Sequence, residues 1–66
     1  MKIKINGIEK EISRSESLLE VIENFCKQTR NVIAEVNGDI IKGADWTKKR
    51  INDGDVIELV NLVGGG

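Results

Sequence analysis

The residues of this chain whose type and spacing best suit a chemical reaction are the last three, Gly64-Gly65-Gly66, which directly follow the apolar pair Leu62-Val63. Glycine has no Cβ, so a run of glycines can approach another backbone closely and adopt almost any φ and ψ. The one reactive group of such a segment is the α-carboxylate of Gly66, whose pKa of about 3.5 makes it an anion at neutral pH. An anionic carboxylate resists nucleophiles until it carries a better leaving group. The pattern therefore predicts a terminus that enters a narrow site of another protein.

Other catalytic side chains are scarce. The chain has no histidine and no tyrosine, and Cys26 is its single cysteine. Zinc sites and nucleophiles activated by histidine therefore lack their parts, and 66 residues leave little room for a substrate pocket of about 300 Å³. We expect the chain not to be an enzyme and to bind neither a metal ion nor a cofactor. Because Cys26 falls on the apolar side of a predicted helix, we interpret it as a small core hydrophobe rather than a redox group.

The overall composition narrows the possible partners. Ten lysines and arginines against eleven aspartates and glutamates give a net charge of -1, which argues against a face that binds nucleic acid. No apolar stretch approaches the roughly 18 residues of a membrane span, and the first residues do not resemble a signal peptide. A single cysteine cannot form an internal disulfide. We expect a cytoplasmic protein of one domain that is a monomer when free.

Two hairpins are predicted by the pairs Asn6-Gly7 and Asn37-Gly38. Asn-Gly favours the tight type I′ turn because both central residues of that turn need a positive φ. Alternating or apolar residues precede and follow each pair, as expected for strands. The four predicted strands lie at residues 2–5, 8–12, 32–36 and 40–41.

One helix is predicted between the two hairpins. Ser17-Leu18-Leu19-Glu20 fits a capping box, in which the hydroxyl of Ser17 accepts from the amide of Glu20 and the Glu20 side chain reaches back. Apolar residues then recur at helical spacing. This stripe comprises Leu18, Val21, Ile22 and Phe25. The pattern predicts an amphipathic helix over about residues 17–28 that packs on the sheet.

The segment 42–50 lacks strand or helix periodicity, and we expect a loop with one helical turn around Asp45-Trp46-Thr47. Trp46 is either an exposed partner contact or a lid over the edge of the sheet, and we favour the lid because tryptophan is usually largely buried. The basic run Lys48-Lys49-Arg50 is typical of a solvated loop, although such a run can steer an acidic partner surface. Asn52-Asp53-Gly54-Asp55 lacks the full spacing of a calcium loop and is typical of a turn.

The last predicted strand, residues 56–63, is apolar at both parities. Such a strand is usually covered on both faces, or it keeps one face for a partner. We assign Ile57 and Leu59 to the core beneath the helix. Val60 and Leu62 then lie on the opposite face, where we expect a partner to bind.

The order of elements is hairpin, helix, strand pair, loop and final strand. One helix can cover one face of a small sheet, which predicts an α+β fold of two layers. Placing the two-faced final strand beside the first strand gives the β-grasp, or ubiquitin-like, arrangement, with a mixed sheet of four to five strands and one helix packed across one face. We expect this domain to span residues 1–63 and a flexible glycine tail to follow at 64–66.

The chain resembles the ThiS family, the small sulfur carriers of thiamine (thiazole) biosynthesis, over its whole length. The Gly-Gly ending after a β-grasp strand is the most specific feature of the resemblance. The matching segments are the opening strand with Asn6-Gly7, the helix around Leu18-Leu19-Glu20, Val36-Asn37-Gly38-Asp39-Ile40-Ile41, Trp46, Asp53-Gly54-Asp55, Glu58-Leu59-Val60 and Val63-Gly64-Gly65-Gly66. The chain departs from the family at Lys42-Gly43, where members often have Pro-Arg shortly before the tryptophan.

The resemblance implies that Gly66 carries sulfur. A ThiF-like adenylyltransferase would use ATP and Mg²⁺ to convert the Gly66 carboxylate to an acyl-adenylate. Sulfur drawn from cysteine through a cysteine desulfurase would replace AMP to give a thiocarboxylate, and a ThiG-like thiazole synthase would receive that sulfur. In this scheme Gly64 and Gly65 enter the partner's active site while Val60 and Leu62 dock on its rim.

Three other interpretations stay open. Glycine-rich segments are typical of flexible linkers, so the last residues need have no role. A related MoaD-type carrier would deliver sulfur for molybdopterin synthesis. A ubiquitin-like interaction module would bind through its sheet and never be activated. Removal of Gly66 separates carriers from interaction modules, because it should end sulfur transfer and leave binding through the sheet intact.

Overall fold

The computed structural model describes residues 1–62 of the chain. In this part the chain forms five strands, one α-helix and a short 3₁₀ turn. Their bounds are β1 Lys2–Ile5, β2 Ile8–Glu11, α1 Leu18–Phe25, β3 Val32–Val36, β4 Asp39–Ile41, the 3₁₀ turn Gly43–Asp45 and β5 Val56–Asn61. The elements follow one another in the predicted order.

The strands of residues 1–62 form one mixed sheet in the order β2-β1-β5-β3-β4. β5 runs parallel to β1, with Ile5 opposite Ile57, and the other neighbouring strands are antiparallel. The first and last strands therefore lie side by side in the middle of the sheet, and the two hairpins form its edges. This arrangement confirms the predicted α+β β-grasp fold.

Both Asn-Gly pairs form the predicted tight turns. Asn6 and Gly7 have φ angles of 50° and 81°, and Asn37 and Gly38 have φ angles of 53° and 90°. Positive φ at both central residues is what a type I′ turn requires, and it matches the right-handed twist of the flanking strands. The turns set the register of each hairpin, and the register decides which side chains face the helix.

The core lies between α1 and one face of the sheet. Alternate residues of β1, β3 and β5 point to this face, as the two-residue period of a strand requires. The buried residues of these elements are Ile3, Ile5, Val32, Ala34, Val36 and Ile57 from the sheet and Leu18, Val21 and Ile22 from the helix. Ile57 is fully buried and Leu59 is partly buried against the same cluster, as predicted for the inner face of β5.

The helix is shorter than the predicted 17–28, because it begins at Leu18 and ends at Phe25. Cys26 has an extended backbone, with φ -127° and ψ 134°, and the next four residues offer no further apolar side chain that could face the sheet. The prediction that Phe25 belongs to the buried stripe is also wrong. Phe25 is 42% exposed, with the Lys10 ammonium 5.5 Å from its ring centroid. Cys26 is a free thiol, partly buried against the core, as expected for a small hydrophobe.

The predicted capping box begins α1. The Ser17 hydroxyl accepts from the Glu20 amide at 3.1 Å, and the Ser17 amide donates to Glu20 Oε1 at 2.9 Å. The hydrogen bond from the Ser17 backbone lowers the pKa of Glu20 below 4.5, and the Ser17 hydroxyl and the charges of Arg14 and Arg50 act in the same direction. The carboxylate form of Glu20 therefore stabilises the start of the helix.

Replacing Glu20 with alanine should destabilise the protein more at about pH 7 than at about pH 3. The folded-state pKa of Glu20 is lowered, so the stabilisation is present above the ordinary value of 4.5 and is lost as the pH falls through the folded value. Urea unfolding of wild type and Glu20→Ala across this range measures the difference. Glu23→Ala, on the same helix but outside the capping box, is the control. A difference that stays constant with pH would contradict the prediction.

Trp46 is a buried lid, as predicted. Its side chain is 8% exposed, and its Nε1 donates to the carbonyl of Ile41 at 2.8 Å. The 3₁₀ turn Gly43–Asp45 precedes it and lies two residues earlier than predicted. Because the indole joins this turn to the end of β4, the departure at Lys42-Gly43 is accommodated without loss of the lid.

Candidate functional site

The residues predicted to carry the chemistry, Gly64, Gly65 and Gly66, lie outside the described residues 1–62, so their role stays a prediction. The structure does describe the strand that leads to them. β5 ends at Asn61, and Leu62 follows as a bend. The geometry of β5 therefore fixes the chain up to Leu62, two residues before the first of these glycines in the sequence.

The side chain of Asn6 supports β5 beyond the end of β1. The ladder between β1 and β5 pairs Lys4 with Val56 and Ile5 with Ile57, and the chain then turns away at Asn6. The Asn6 amide continues the ladder, because Nδ2 donates to the Leu59 carbonyl at 3.2 Å and Oδ1 accepts from the Leu59 amide at 2.8 Å. One side-chain amide thus replaces the next backbone unit of β1.

Two further asparagines fix the other parts of β5. Asn37 Oδ1 accepts from the Val56 amide at 2.9 Å, and the Asn37 amide donates to the Val56 carbonyl at 2.7 Å. At the opposite end of the strand, the Leu62 amide donates to the carbonyl of Asn31 at 2.8 Å. Asn31 has a φ of 61°, a left-handed conformation that asparagine tolerates better than most residues. Hydrogen bonds therefore hold the chain from the first residue of β5 to Leu62.

Replacing Asn6 with glycine should loosen β5 near its end. Glycine accepts the φ of 50° without strain but has no amide for Leu59. Loss of these hydrogen bonds should speed hydrogen exchange of the Leu59 amide by about fivefold. Asn37→Gly is the matched control, because it should speed exchange at Val56 and leave Leu59 unchanged. Equal effects of both variants at both amides would contradict separate local roles.

Val60 and Leu62, the predicted partner-binding residues, are both exposed, at 52% and 64% of their surface. Val60 lies opposite Ile33 of β3, and Ile33 shares a sheet face with Glu35, which lies opposite Ile40. We call the surface formed by Ile33, Ile40, Val60 and Leu62 the outer face, since it lies on the side of the sheet away from α1. Whether a partner binds there stays a prediction.

Sequence reasoning missed two members of the outer face. Ile40 is 66% exposed and Ile33 is partly buried. Ile33 lies beside Val60, and Ile40 lies two strands away across β3. Both positions depend on the register of β3 against its neighbours, which the strand patterns alone do not give. The one available signal was the two-residue turn Asn37-Gly38, which fixes Glu35 opposite Ile40 once the hairpin is assumed.

The acidic turn at residues 52–55 uses its carboxylates within the fold. Asp53 Oδ1 accepts from the Lys2 amide at 2.7 Å, and Asp55 Oδ2 accepts from the Asn52 amide at 2.8 Å. Gly54, with a φ of 87°, completes the predicted turn. Within residues 1–62 no group of three or more histidine, cysteine, aspartate or glutamate side chains lies close enough to hold a metal ion.

In the described part of the chain, no helix is both long and apolar enough to cross a membrane. Its single α-helix has eight residues.

The sequence model of the ThiS family matches residues 3–66. The chain belongs to the ThiS family. The resemblance drawn from its motifs is therefore confirmed, together with the ubiquitin-like fold. The family's proteins are small carriers.

Known relatives and structures agree with this placement in the ThiS family. The crystal structure of a thiamine biosynthesis protein (ThiS) from Geobacter metallireducens superposes with a TM-score of 0.86 at 25% identity, covering 100% of both chains. The solution structure of a thiamine biosynthesis protein from Geobacter metallireducens gives 0.81 at 24% identity, over 100% of this chain and 88% of that one, and supports the fold.

Two curated relatives match by sequence. A thiazole synthase of Paramagnetospirillum magneticum is 33% identical over 66 residues, which are 100% of this chain and 20% of that protein. The protein ycf40 of Trieres chinensis is 32% identical over 62 residues, or 94% of this chain and 85% of the relative. The chain thus spans about a fifth of the length of the first relative and most of the second.

Proposed function

We propose that the chain carries sulfur as a thiocarboxylate on Gly66 and donates it to a thiazole synthase for the thiazole moiety of thiamine. The observation that carries the proposal is the geometry of β5. This strand is hydrogen-bonded along its length and carries the exposed Val60; the exposed Leu62 follows it, and in the sequence Val63 then precedes the three glycines. A partner that covers the outer face would therefore contact the ordered strand β5, and the glycine segment that follows would enter its active site.

The chemistry needs an outside catalyst. The Gly66 carboxylate attacks the α-phosphorus of ATP, a carboxylate-phosphorus bond forms and pyrophosphate leaves, which gives an acyl-adenylate. Hydrosulfide attacks the carbonyl carbon, displaces AMP and loses its proton, which gives the thiocarboxylate; a persulfide donor would instead give an acyl disulfide, which a thiol reductant would cleave to the same product. We assign the first step to a ThiF-like adenylyltransferase that uses Mg²⁺, and the supply of sulfur to a cysteine desulfurase. Among residues 1–62, no side chain is suited to catalyse either step.

The glycine segment suits the delivery of this carboxylate. Extended residues span at most about 3.3 to 3.6 Å each, so three residues such as Gly64 to Gly66 would span about 10 Å when fully extended. Without a Cβ, each residue fits a slot that would exclude larger side chains. Gly64 and Gly65 would occupy the slot while Gly66 reaches the reacting atoms.

The outer face suits a partner at the rim of such a slot. Val60, Leu62 and Ile40 are exposed apolar side chains, and two carboxylates, Glu58 of β5 and Glu35 of β3, lie opposite each other on the same face between Val60 and Ile40. Protein interfaces combine apolar contacts with polar and charged ones in this way. A relative whose name is thiazole synthase contains a segment similar to this whole chain, which supports a thiazole synthase as one partner.

Intact-mass spectrometry tests the proposal. The purified chain is incubated with ATP, Mg²⁺, a ThiF-like adenylyltransferase and sulfide. We expect a mass increase equal to the replacement of one oxygen by sulfur, and fragment ions that place it on Gly66. Omission of ATP should prevent the change. An unchanged mass, under conditions in which another ThiS-family carrier reacts, would overturn the proposal.

A second candidate is a ubiquitin-like module that binds through its sheet and is never activated. The exposed outer face favours it, since binding there does not require Gly66. The two functions separate in the mass experiment, because an interaction module would bind partners and keep its original mass.

A further inference from the structure

A groove at the edge of the sheet, distant from the glycine segment in sequence, has the composition of a second contact surface. It lies between β4 and the loop that follows it and has a volume of about 440 Å³. Its lining residues are Ile40, Ile41, Lys42, Asp45, Lys48 and Lys49. We call it the lysine groove.

The charges of the lysine groove are unbalanced. Lys42, Lys48 and Lys49 face a single carboxylate, that of Asp45. Among residues 1–62, none of these lysines has a carboxylate oxygen within 4 Å, and the ion pairs of the described chain lie elsewhere. Arg50, the third member of the basic run, donates to the carbonyl of Ser15 and does not line the groove. Three lysines without an ion pair therefore line one groove.

The loop that carries these lysines is held firmly, although it is irregular. Trp46 Nε1 donates to the Ile41 carbonyl at 2.8 Å, and the Lys49 amide donates to the Asp45 carbonyl at 3.0 Å. The Lys49 carbonyl accepts from the Leu18 amide at 2.7 Å, which joins the loop to the start of α1. Because the backbone of the loop is already ordered, partner binding costs less conformational entropy there than it would in a flexible loop.

The lysine groove also presents apolar surface and backbone. Ile40 is 66% exposed and forms its wall. In an antiparallel pair, residues alternate between those bonded to the neighbouring strand and those whose N–H and C=O point away from it. The turn closes on Val36 and Asp39, so Ile40 is the β4 residue that points its backbone away from β3, at the last strand of the sheet.

We propose that the lysine groove docks an extended acidic segment of the adenylating enzyme that acts on Gly66; the inference rests on the proposed function above. Lysine ammonium groups attract its carboxylates, and Ile40 contacts an apolar residue between them. We assign the groove to the same enzyme because Ile40 lies on the same face of the sheet as Val60, two strands away across β3, so one partner can contact both. Nucleic acid fits less well, since the chain as a whole has a net charge of -1.

Charge reversal tests the groove through the association rate. The probe is a ThiF-like adenylyltransferase, mixed with fluorescently labelled chain in a stopped-flow instrument. Lys42→Glu with Lys48→Glu should lower the association rate constant by about tenfold at low salt, because opposite charges steer encounter. The difference should close at about 1 M salt, where the Debye length is about 3 Å. Both side chains are exposed, so the fold should be unaffected.

Lys10→Glu with Arg14→Glu is the matched control. It changes the net charge by the same amount, on and just after β2, at the opposite edge of the sheet. Equal slowing by both double variants would overturn the groove proposal, as would tight binding of a labelled single-stranded RNA that Lys42→Glu with Lys48→Glu abolishes. The thiocarboxylate measured by mass reports on the proposed function separately. A modified Gly66 with no selective salt effect refutes only the groove, and selective slowing without modification refutes only the sulfur chemistry.

Discussion

A chain that lacks Gly66 should form no thiocarboxylate and donate no sulfur, while it binds the adenylating enzyme almost as well as the full chain. Without Gly66 the terminal carboxylate sits on Gly65, about 3.5 Å short of the reacting atoms. A displacement of only about 1 Å can cost a hundredfold in rate. We therefore expect activity to fall to the background of the assay. Intact mass reports the modification, and calorimetry reports the affinity.

A second substitution in the glycine segment distinguishes the effect of segment length from the effect of side-chain size. Gly65→Val keeps the number of residues and the terminal carboxylate but adds a branched side chain where we expect a narrow slot. It should also prevent modification, because only glycine leaves room for a close approach of backbones. The matched control is Ser13→Gly, which alters an exposed residue between β2 and α1. Normal modification of the shortened chain would show that Gly66 is not the sulfur-bearing residue.

Much of the fold follows from local signals. The Asn-Gly pairs place the hairpins because few other residue pairs accept positive φ twice in succession. The capping box places the start of the helix because Ser17 and Glu20 satisfy backbone groups within one turn. Both signals act between residues near in sequence, so they can be read without the rest of the structure.

The sequence-based predictions were wrong or incomplete at features that no local sequence signal marks. The helix ends at Phe25, and although residues 27–30 offer no apolar side chain, no glycine or proline marks that point as a stop signal. The role of Asn6 was also missed, since its side chain meets Leu59 across 53 positions of sequence. As a turn residue it was recognised, but its support of β5 depends on the parallel register of β1 and β5.

The candidate site was predicted in part for the same reason. The two-residue period of β5 was enough to separate Ile57 and Leu59 from Val60 and Leu62. It gave no means to join Ile33 and Ile40 to the second pair, because those contacts cross strands. Predicting the lysine groove would also have required the position of Trp46, which brings the loop against the end of β4.

Placing glutamates at Val60 and Leu62 together should weaken binding of the adenylating enzyme by about a thousandfold. Buried apolar anchors at the centre of an interface contribute about 2 kcal/mol or more each, and about 1.4 kcal/mol corresponds to a tenfold change in Kd. A charge left in an apolar contact adds a desolvation cost. In the free protein both side chains are exposed, so the free energy of unfolding should change little. Calorimetric titration of the double variant with the enzyme measures the change in Kd.

Ile8→Glu is the matched control for this loss of affinity. Ile8 is 60% exposed, close to the values for Val60 and Leu62, but it lies on β2 at the far edge of the sheet and shares a face with Ile5 rather than with the outer face. Its substitution should leave Kd within about twofold, as expected for a residue outside the interface core. If Ile8→Glu weakened binding as strongly as the double variant, exposed apolar surface in general would be responsible. Loss confined to Val60 and Leu62 would instead assign docking to the end of β5 and the residue that follows it.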